Sequence, residues 1–445
     1  MPTTIPDELA RTILARVEGA YYGWASARPG EPDRRQPVHT VYGGAHLFRA
    51  DSARKLGDLA FRALREYAPD AATLAGAVGL DLALAGTIYD RVVRKLETEP
   101  VEDFRIDFED GFGLRPDAEE DRAAVAAARE VAHAMAQATL PPFIGIRIKP
   151  FTVGLGPRAA RTLDLFLTGV LEGTGGQIPD NFVVTNPKIV VPEQVAALAD
   201  LFDALEERTS IEPGALKMEL MVETPQSILD VEGVAALARL LDAARGRCVA
   251  AHFGVYDYTA SLGITALHQD LDHPACDFAR HMMQVMLIGT GVWLCDGATN
   301  VMPASRHRPR KTGKLTPAQA ADNHAAVHQG WALHYRHVRH SLRHGYYQGW
   351  DLNPAQLPTR YAAVYAFFLE ALEGATERLR HFVEQTARAT LTGDVFDDAA
   401  TGQALINFFL RGLNCGAITE EEAGATGLGP ADLRARSFTG SLDRG

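Results

Sequence analysis

Eight short runs of strand-forming residues recur along the chain, each pair separated by enough sequence for a helix, and that rhythm leaves few folds open. The runs are HTVYGG (39–44), FRIDFED (104–110), FIGIRIKP (143–150) and NFVVTNPKIVV (181–191), then KMELMVE (217–223), CVAAHFGV (248–255), GVWLCDG (291–297) and YQGWDLNP (347–354). Alanine- and leucine-rich stretches of helical period separate them, for example DAEEDRAAVAAAREVAHAMAQA and EQVAALADLFDALEER. The pattern predicts an α/β chain, a (β/α)8 TIM barrel over about residues 37–360. A doubly wound sheet is the alternative, but no G-x-G-x-x-G follows the first strand. The first crossover, 45–103, has room for two helices, and beyond 360 the pattern is helical only. The chain therefore divides into an N-terminal helix plus barrel (1–360) and a C-terminal helical lid or oligomerisation region (361–445).

Composition sets limits on partners. A hydrophobic share of 47% without a long apolar run suits a soluble globular protein rather than a membrane protein, and a net charge of −12 argues against a nucleic-acid surface. The basic cluster RHRPRK (306–311) reads as a solvated loop. The first residues, MPTTIPDELARTILARVEGAYYGWA, mix acidic with apolar side chains, which predicts an amphipathic helix and no signal peptide. Cys248, Cys276, Cys295 and Cys415 are scattered, without the spacing of a zinc site or a disulfide framework, so the cytoplasm is the default location.

Acidic residues gather where strands end. KMELMV leads into Glu223 and CVAAHFGV into Asp257, 34 residues later, about one strand–helix repeat. In a parallel barrel that spacing sets the two carboxylates side by side at the strands' C-terminal ends, where barrel active sites are built. Such a pair in a partly apolar cleft repels unless a hard divalent cation, Mg²⁺ above all, lies between. The alternative is that each carboxylate caps the helix that follows. Strand two ends in RIDFEDGFG; alternation turns Asp107 and Glu109 to one face and Phe108 and Asp110 to the other. These acids are candidate ligand or catalytic groups, or a turn-initiating Asp-Gly. Strand three ends with Arg147 and Lys149 on one face. A buried Arg there needs an anionic ligand, such as a carboxylate or enolate oxygen, or an internal salt bridge to the strand-two acids. Lys188 in NPKIV is a further candidate for substrate contact. His324 and His328 stand four apart in a His-rich stretch (324–344), a spacing open to metal binding or to a solvated helix face.

Taken in order, these segments resemble the HpcH/HpaI aldolase and citrate lyase β-subunit superfamily, the phosphoenolpyruvate/pyruvate-binding barrels. FEDGF is similar to the family's D-L-E-D segment, IRIKP to its V-R-V-N strand and MVETP to its I-E-T segment. HFGVYDYTASLG is similar to the G-x-x-D-x-x-x-x-x-G segment, WLCDG to the strand ending I-D-G, and YQGWDLNPAQLP to the terminal G-K-x-x-I-H-P-x-Q-I. The resemblance implies that Glu223 and Asp257 bind Mg²⁺ or Mn²⁺, which chelates a 2-oxo acid. It implies further that Arg147 binds the carbonyl or enolate oxygen, and that Glu109 and Asp110 orient metal-bound water and ligand. GDVFDDAATGQA (393–404) is similar to the G-x-M-I-D-x-P segment of the family's acyl-CoA lyases and synthases. There the Asp enters a neighbouring subunit as catalytic acid/base, which carries to Asp397 and implies a homo-oligomer. Asp394, Asp397 and Asp398 are equally readable as a helix N-terminal cluster.

Three departures stand out: a chain far longer than citrate lyase β-subunits, Lys149 where Asn is usual, and Leu-Asn-Pro in place of Ile-His-Pro. The expectation is a metal-dependent carbon–carbon lyase or synthase acting through an enolate on a 2-oxo acid and an acyl-CoA, with a coenzyme A thioester as substrate. Arg147, Lys149, Lys188 and Asp107 are its expected substrate-binding residues. The alternatives are a pyruvate aldolase acting on 2-oxo sugar acids without coenzyme A, and a non-catalytic metabolite-binding regulator.

Overall fold

In a computed structural model, which describes residues 4–30, 32, 34–309, 314–392 and 399–434, the eight strands close into one parallel barrel. They are β1 His39–Gly44, β2 Asp103–Asp107, β3 Phe143–Arg147, β4 Phe182–Asn186, β5 Lys217–Val222, β6 Cys248–Phe253, β7 Trp293–Ala298 and β8 Gln348–Asp351. Each pairs with the next in sequence and β8 closes on β1. The register aligns Asp107 with Arg147 and Val222 with Phe253, so the ends of these strands lie level. The first crossover holds three helices, Ser52–Tyr67, Ala71–Val78 and Leu82–Thr98, one more than the sequence suggested. Gly79, in the left-handed region at φ 75°, and the Asp81 cap split what reads as one continuous apolar stretch.

Alternation along β2 explains how the barrel fills. Phe104 and Ile106 are buried beneath the helices, whereas Asp103, Arg105 and Asp107 form the other face. Arg105 forks onto Glu219 with Nε and Nη2 both at 2.7 Å and also pairs with Asp103. Glu219 accepts a further hydrogen bond from Thr185 and lies 3.1 Å from His252 Nε2, whose Nδ1 accepts from Trp350 at 3.0 Å. Buried charges at this depth are tolerable because each has a fixed partner.

Helix Leu357–Thr392 follows β8 and packs on the barrel through Tyr361, Val364, Tyr365 and Phe368. Helix Ala399–Asn414 folds back on it, with Phe408 and Phe368 rings 5.2 Å apart. Arg411 donates to Gln36, three residues ahead of β1, at 3.0 Å, so this helix docks at the strands' amino ends. Helix Asp7–Ser26 buries none of its residues; Leu9, Ile13, Val17 and Trp24 form an exposed apolar stripe, as its amphipathic sequence suggests. Among the described residues no single helix is long and apolar enough to cross a membrane.

Candidate active site

At the opposite, carboxyl end of the strands the acids named from sequence meet around one lysine. Lys188 lies just beyond β4 in the left-handed region, at φ 50°, which turns its backbone N–H to Glu223 Oε1 at 2.6 Å. Its ammonium reaches Glu109 Oε1 at 2.6 Å, Asp110 Oδ2 at 3.4 Å and Asp257 Oδ2 at 3.7 Å. One residue therefore touches four carboxylates drawn from the ends of β2, β5 and β6. Glu223 is 1% exposed, and Asp257 stands in the first turn of helix Val255–Ser261 with its side chain 47% exposed.

Gly254 makes room for this arrangement. A Cβ at that position would fall 2.4 Å from Glu223 Cβ and 2.9 Å from Oε2. Its φ of −95° is open to any residue, so the glycine is required for space rather than for conformation.

Arg147 is held from the other side. Its Nε donates to Asp107 Oδ1 at 2.7 Å and Nη2 to Oδ2, a bidentate fork, while Nη1 lies 3.2 Å from Glu109 and 3.5 Å from Asp110. The guanidinium lies 5.0 Å from the Tyr42 ring centre, a contact the sequence reading missed because a barrel-facing Tyr carries no motif. Asp107 also accepts from the backbone amides of Glu109 and Gly111, at 2.9 and 2.8 Å, so it orients Arg147 and the turn. That turn ends the strand at Asp107, and Asp110 therefore reaches Arg147 instead of facing away as strict alternation would have it.

The electrostatics are uneven. Burial, with the charge of Asp257 added, pushes the Glu223 carboxyl up to about 8 although Lys188 pulls the other way. Burial also raises Glu109 against the opposing charge of Arg147. An all-oxygen cluster with more carboxylates than cations has the chemistry of a hard-cation site, and Glu223 and Asp257 both face Lys188.

Residues 19–440 match a family described only as a domain of unknown function, DUF6986. The chain belongs to this family. No curated protein matches it. Among solved structures it resembles a citrate lyase from Burkholderia xenovorans LB400, with TM-score 0.51 and 16% identity over 88% of this chain and 97% of that one. A malate synthase from Haloferax volcanii has TM-score 0.47 and 14% identity, covering 92% and 99% of the two chains. The protein CitE from Mycobacterium tuberculosis, in complex with magnesium and pyruvate, has TM-score 0.38 and 15% identity, covering 75% and 91%. At 16% identity the citrate lyase likeness shows a common fold, the (β/α)8 barrel expected from the motifs.

The remaining candidates of this DUF6986 chain fall elsewhere. Lys149 turns away from the carboxylate cluster: its ammonium donates to the Phe108 and Gly113 carbonyls at 2.7 and 3.3 Å and lies 2.8 Å from buried Glu120. The ammonium is thereby committed to holding the loop after β2. Asp397, with Asp394 and Asp398, lies outside the described residues. The His-rich helix Pro317–Arg343 is solvated only in part: His324 is exposed, His328 bonds the Tyr67 carbonyl at 2.6 Å and stacks on Trp331, and His334 and His337 are buried. His324 sits against the Tyr67 ring at 5.0 Å, so the four-apart pair packs on an aromatic cluster.

Proposed function

We propose that this protein is a Mg²⁺-dependent carbon–carbon lyase or synthase that cleaves or forms a bond between a 2-oxo acid and an acyl-CoA through an enolate. The observation that carries the reading is Lys188, whose backbone and ammonium together draw Glu109, Asp110, Glu223 and Asp257 to one point beside Arg147. Glu223 and Asp257 would hold the ion, which when bound supplies a Lewis acid for the 2-oxo acid's carbonyl. Arg147 is pre-aimed by Asp107, and its Nη1, in looser contact with Glu109 and Asp110, is the donor for an enolate oxygen. Lys188 offers its ammonium to a substrate carboxylate. Asp397 transfers the proton to or from the nucleophilic carbon. Asp397 would reach the site of a neighbouring subunit in a homo-oligomer, as the likeness of GDVFDDAATGQA to the acyl-CoA lyase segment implies.

The test is cleavage of malyl-CoA- and citryl-CoA-like thioesters with and without EDTA, followed by release of free 2-oxo acid. Mg²⁺-dependent cleavage is expected. Turnover of hydroxy-2-oxo acids without coenzyme A would favour the aldolase alternative, and metal-dependent 2-oxo acid binding with no turnover the regulator. Asp397→Ala should cost roughly 10²–10⁴-fold in rate while metal binding survives. Mixing Asp397→Ala with Arg147→Ala subunits should restore activity, since each supplies what the other lacks; no recovery would overturn the shared-site arrangement.

A further inference from the structure

A second cluster of metal-binding character lies outside this cleft, on the segment that joins helix Val255–Ser261 to helix Pro274–Leu287. Asp270, Asp272 and His337 each direct one ligand atom to a common point, the three atoms lying within 4.8 Å of one another. His337, on helix Pro317–Arg343, is 1% exposed, and its Nε2 makes no hydrogen bond although it faces Asp270 Oδ1 at 3.0 Å and Asp272 Oδ1 at 3.9 Å. The other ring nitrogen, Nδ1, is fixed by Thr299 Oγ1 at 2.9 Å. A buried imidazole whose second nitrogen is anchored by a hydroxyl while the first is aimed at two carboxylates has the form of a metal-ligating histidine with its supporting partner.

We propose that Asp270, Asp272 and His337 form a binding site for a divalent transition-metal cation of the Zn²⁺ class. Imidazole suits Zn²⁺ better than Mg²⁺, which distinguishes this site from the all-oxygen cluster around Glu223. Three protein ligands leave one position of a tetrahedron to water. The carboxylates have room to close on an ion: their side chains are 43% and 35% exposed, and the competing cation, Arg336, lies 3.7 Å from Asp272. The site braces the catalytic end of the barrel. Tyr256, beside Asp257, donates to the Ala298 carbonyl at 2.7 Å and accepts from the Asn300 amide at 2.8 Å, so the segment carrying Thr299 is tied to the helix carrying Asp257. A cation would join the histidine that Thr299 anchors to the loop leaving the same helix.

Calorimetric titration of metal-free full-length protein with ZnCl₂ tests this. The unaltered protein is expected to bind one more equivalent than Asp270→Asn/Asp272→Asn, with the Asp277, His340 and His344 group intact in both. Superimposable titrations would overturn the site. Crystals of the unaltered protein soaked in Zn²⁺ give a measurement independent of how the variant folds. An anomalous peak at bonding distance from His337 Nε2 supports the proposal, and its absence overturns it, leaving a buried neutral imidazole beside two carboxylates.

Discussion

The two ends of the barrel hold the same kinds of side chain and treat them in opposite ways. At the amino end, beside the C-terminal helices, Arg35 and Lys95 face Glu99 and Glu102: Arg35 reaches both carboxylates, at 2.6 and 2.7 Å, and so does Lys95, which lies 2.6 Å from Glu102. Two cations meet two acids. Burial would raise Glu99, but Arg35 and Lys95 draw it down to about 2, and Glu102, fully buried, is lowered by the same pair. At the carboxyl end Arg147 is forked onto Asp107 with Nη1 in looser contact with Glu109 and Asp110, and Lys188 stands among four acids. There Glu223 rises to about 8. Matched charge is structural; the unmatched cluster is where the proposed function puts a cation.

Substitutions can break this contrast. Removing a carboxylate from the unmatched end should be the most damaging to function and harmless to folding: Glu223→Gln or Asp257→Ala is expected to abolish Mg²⁺-dependent turnover without lowering the melting temperature. A variant that keeps turnover would take the pair out of the metal site. At the matched end the outcome inverts. Glu102→Gln leaves Arg35 and the buried Lys95 sharing only the half-buried Glu99 and should cost about 3 kcal/mol of stability by denaturant titration, with kcat unchanged. Arg147→Lys keeps a charge but loses the fork to Asp107, so about 10² in kcat is expected to go. Near-normal turnover would remove Arg147 from the reaction.

The subtlest difference is in pH dependence. In EDTA, Glu223 keeps its proton in the folded protein up to about 8, whereas the unfolded chain releases it near the ordinary glutamate value of about 4.3. Between those values the folded state binds more protons, so this group's contribution to stability falls as pH rises. Glu223→Gln should flatten that limb of the melting-temperature profile. An unchanged profile would mean the carboxyl is not raised.

What could be read from sequence follows the same division. The eight strands were legible because their outward residues, such as Phe104, Ile106 and Ile144, are apolar and regularly spaced. Their ends were not. Phe108, Ile148 and Ile189 are fully buried beyond the last ladder pairs, so the runs looked longer than the strands they contain. That overrun is where alternation failed for Asp110 and where Lys149 turned aside. Glu223, Asp257 and Arg147 stand out in the sequence because a charge at a strand end has few uses. The central place of Lys188 depends on a positive φ, which a lysine does not announce. The polar barrel centre of Arg105, Glu219 and His252 escaped notice because single charged residues inside β-like runs look like surface.

Gly254 gives a way to sort relatives by reading a single column. A methyl group there collides with the Glu223 side chain, so any homologue with alanine at this place has had to move its glutamate or give up the geometry. A lineage can lose this carboxylate arrangement without touching either acid, through one change at a residue that contributes no chemical group. Family members that keep both carboxylates but have replaced this glycine are the ones to examine for a barrel that has outlived its reaction.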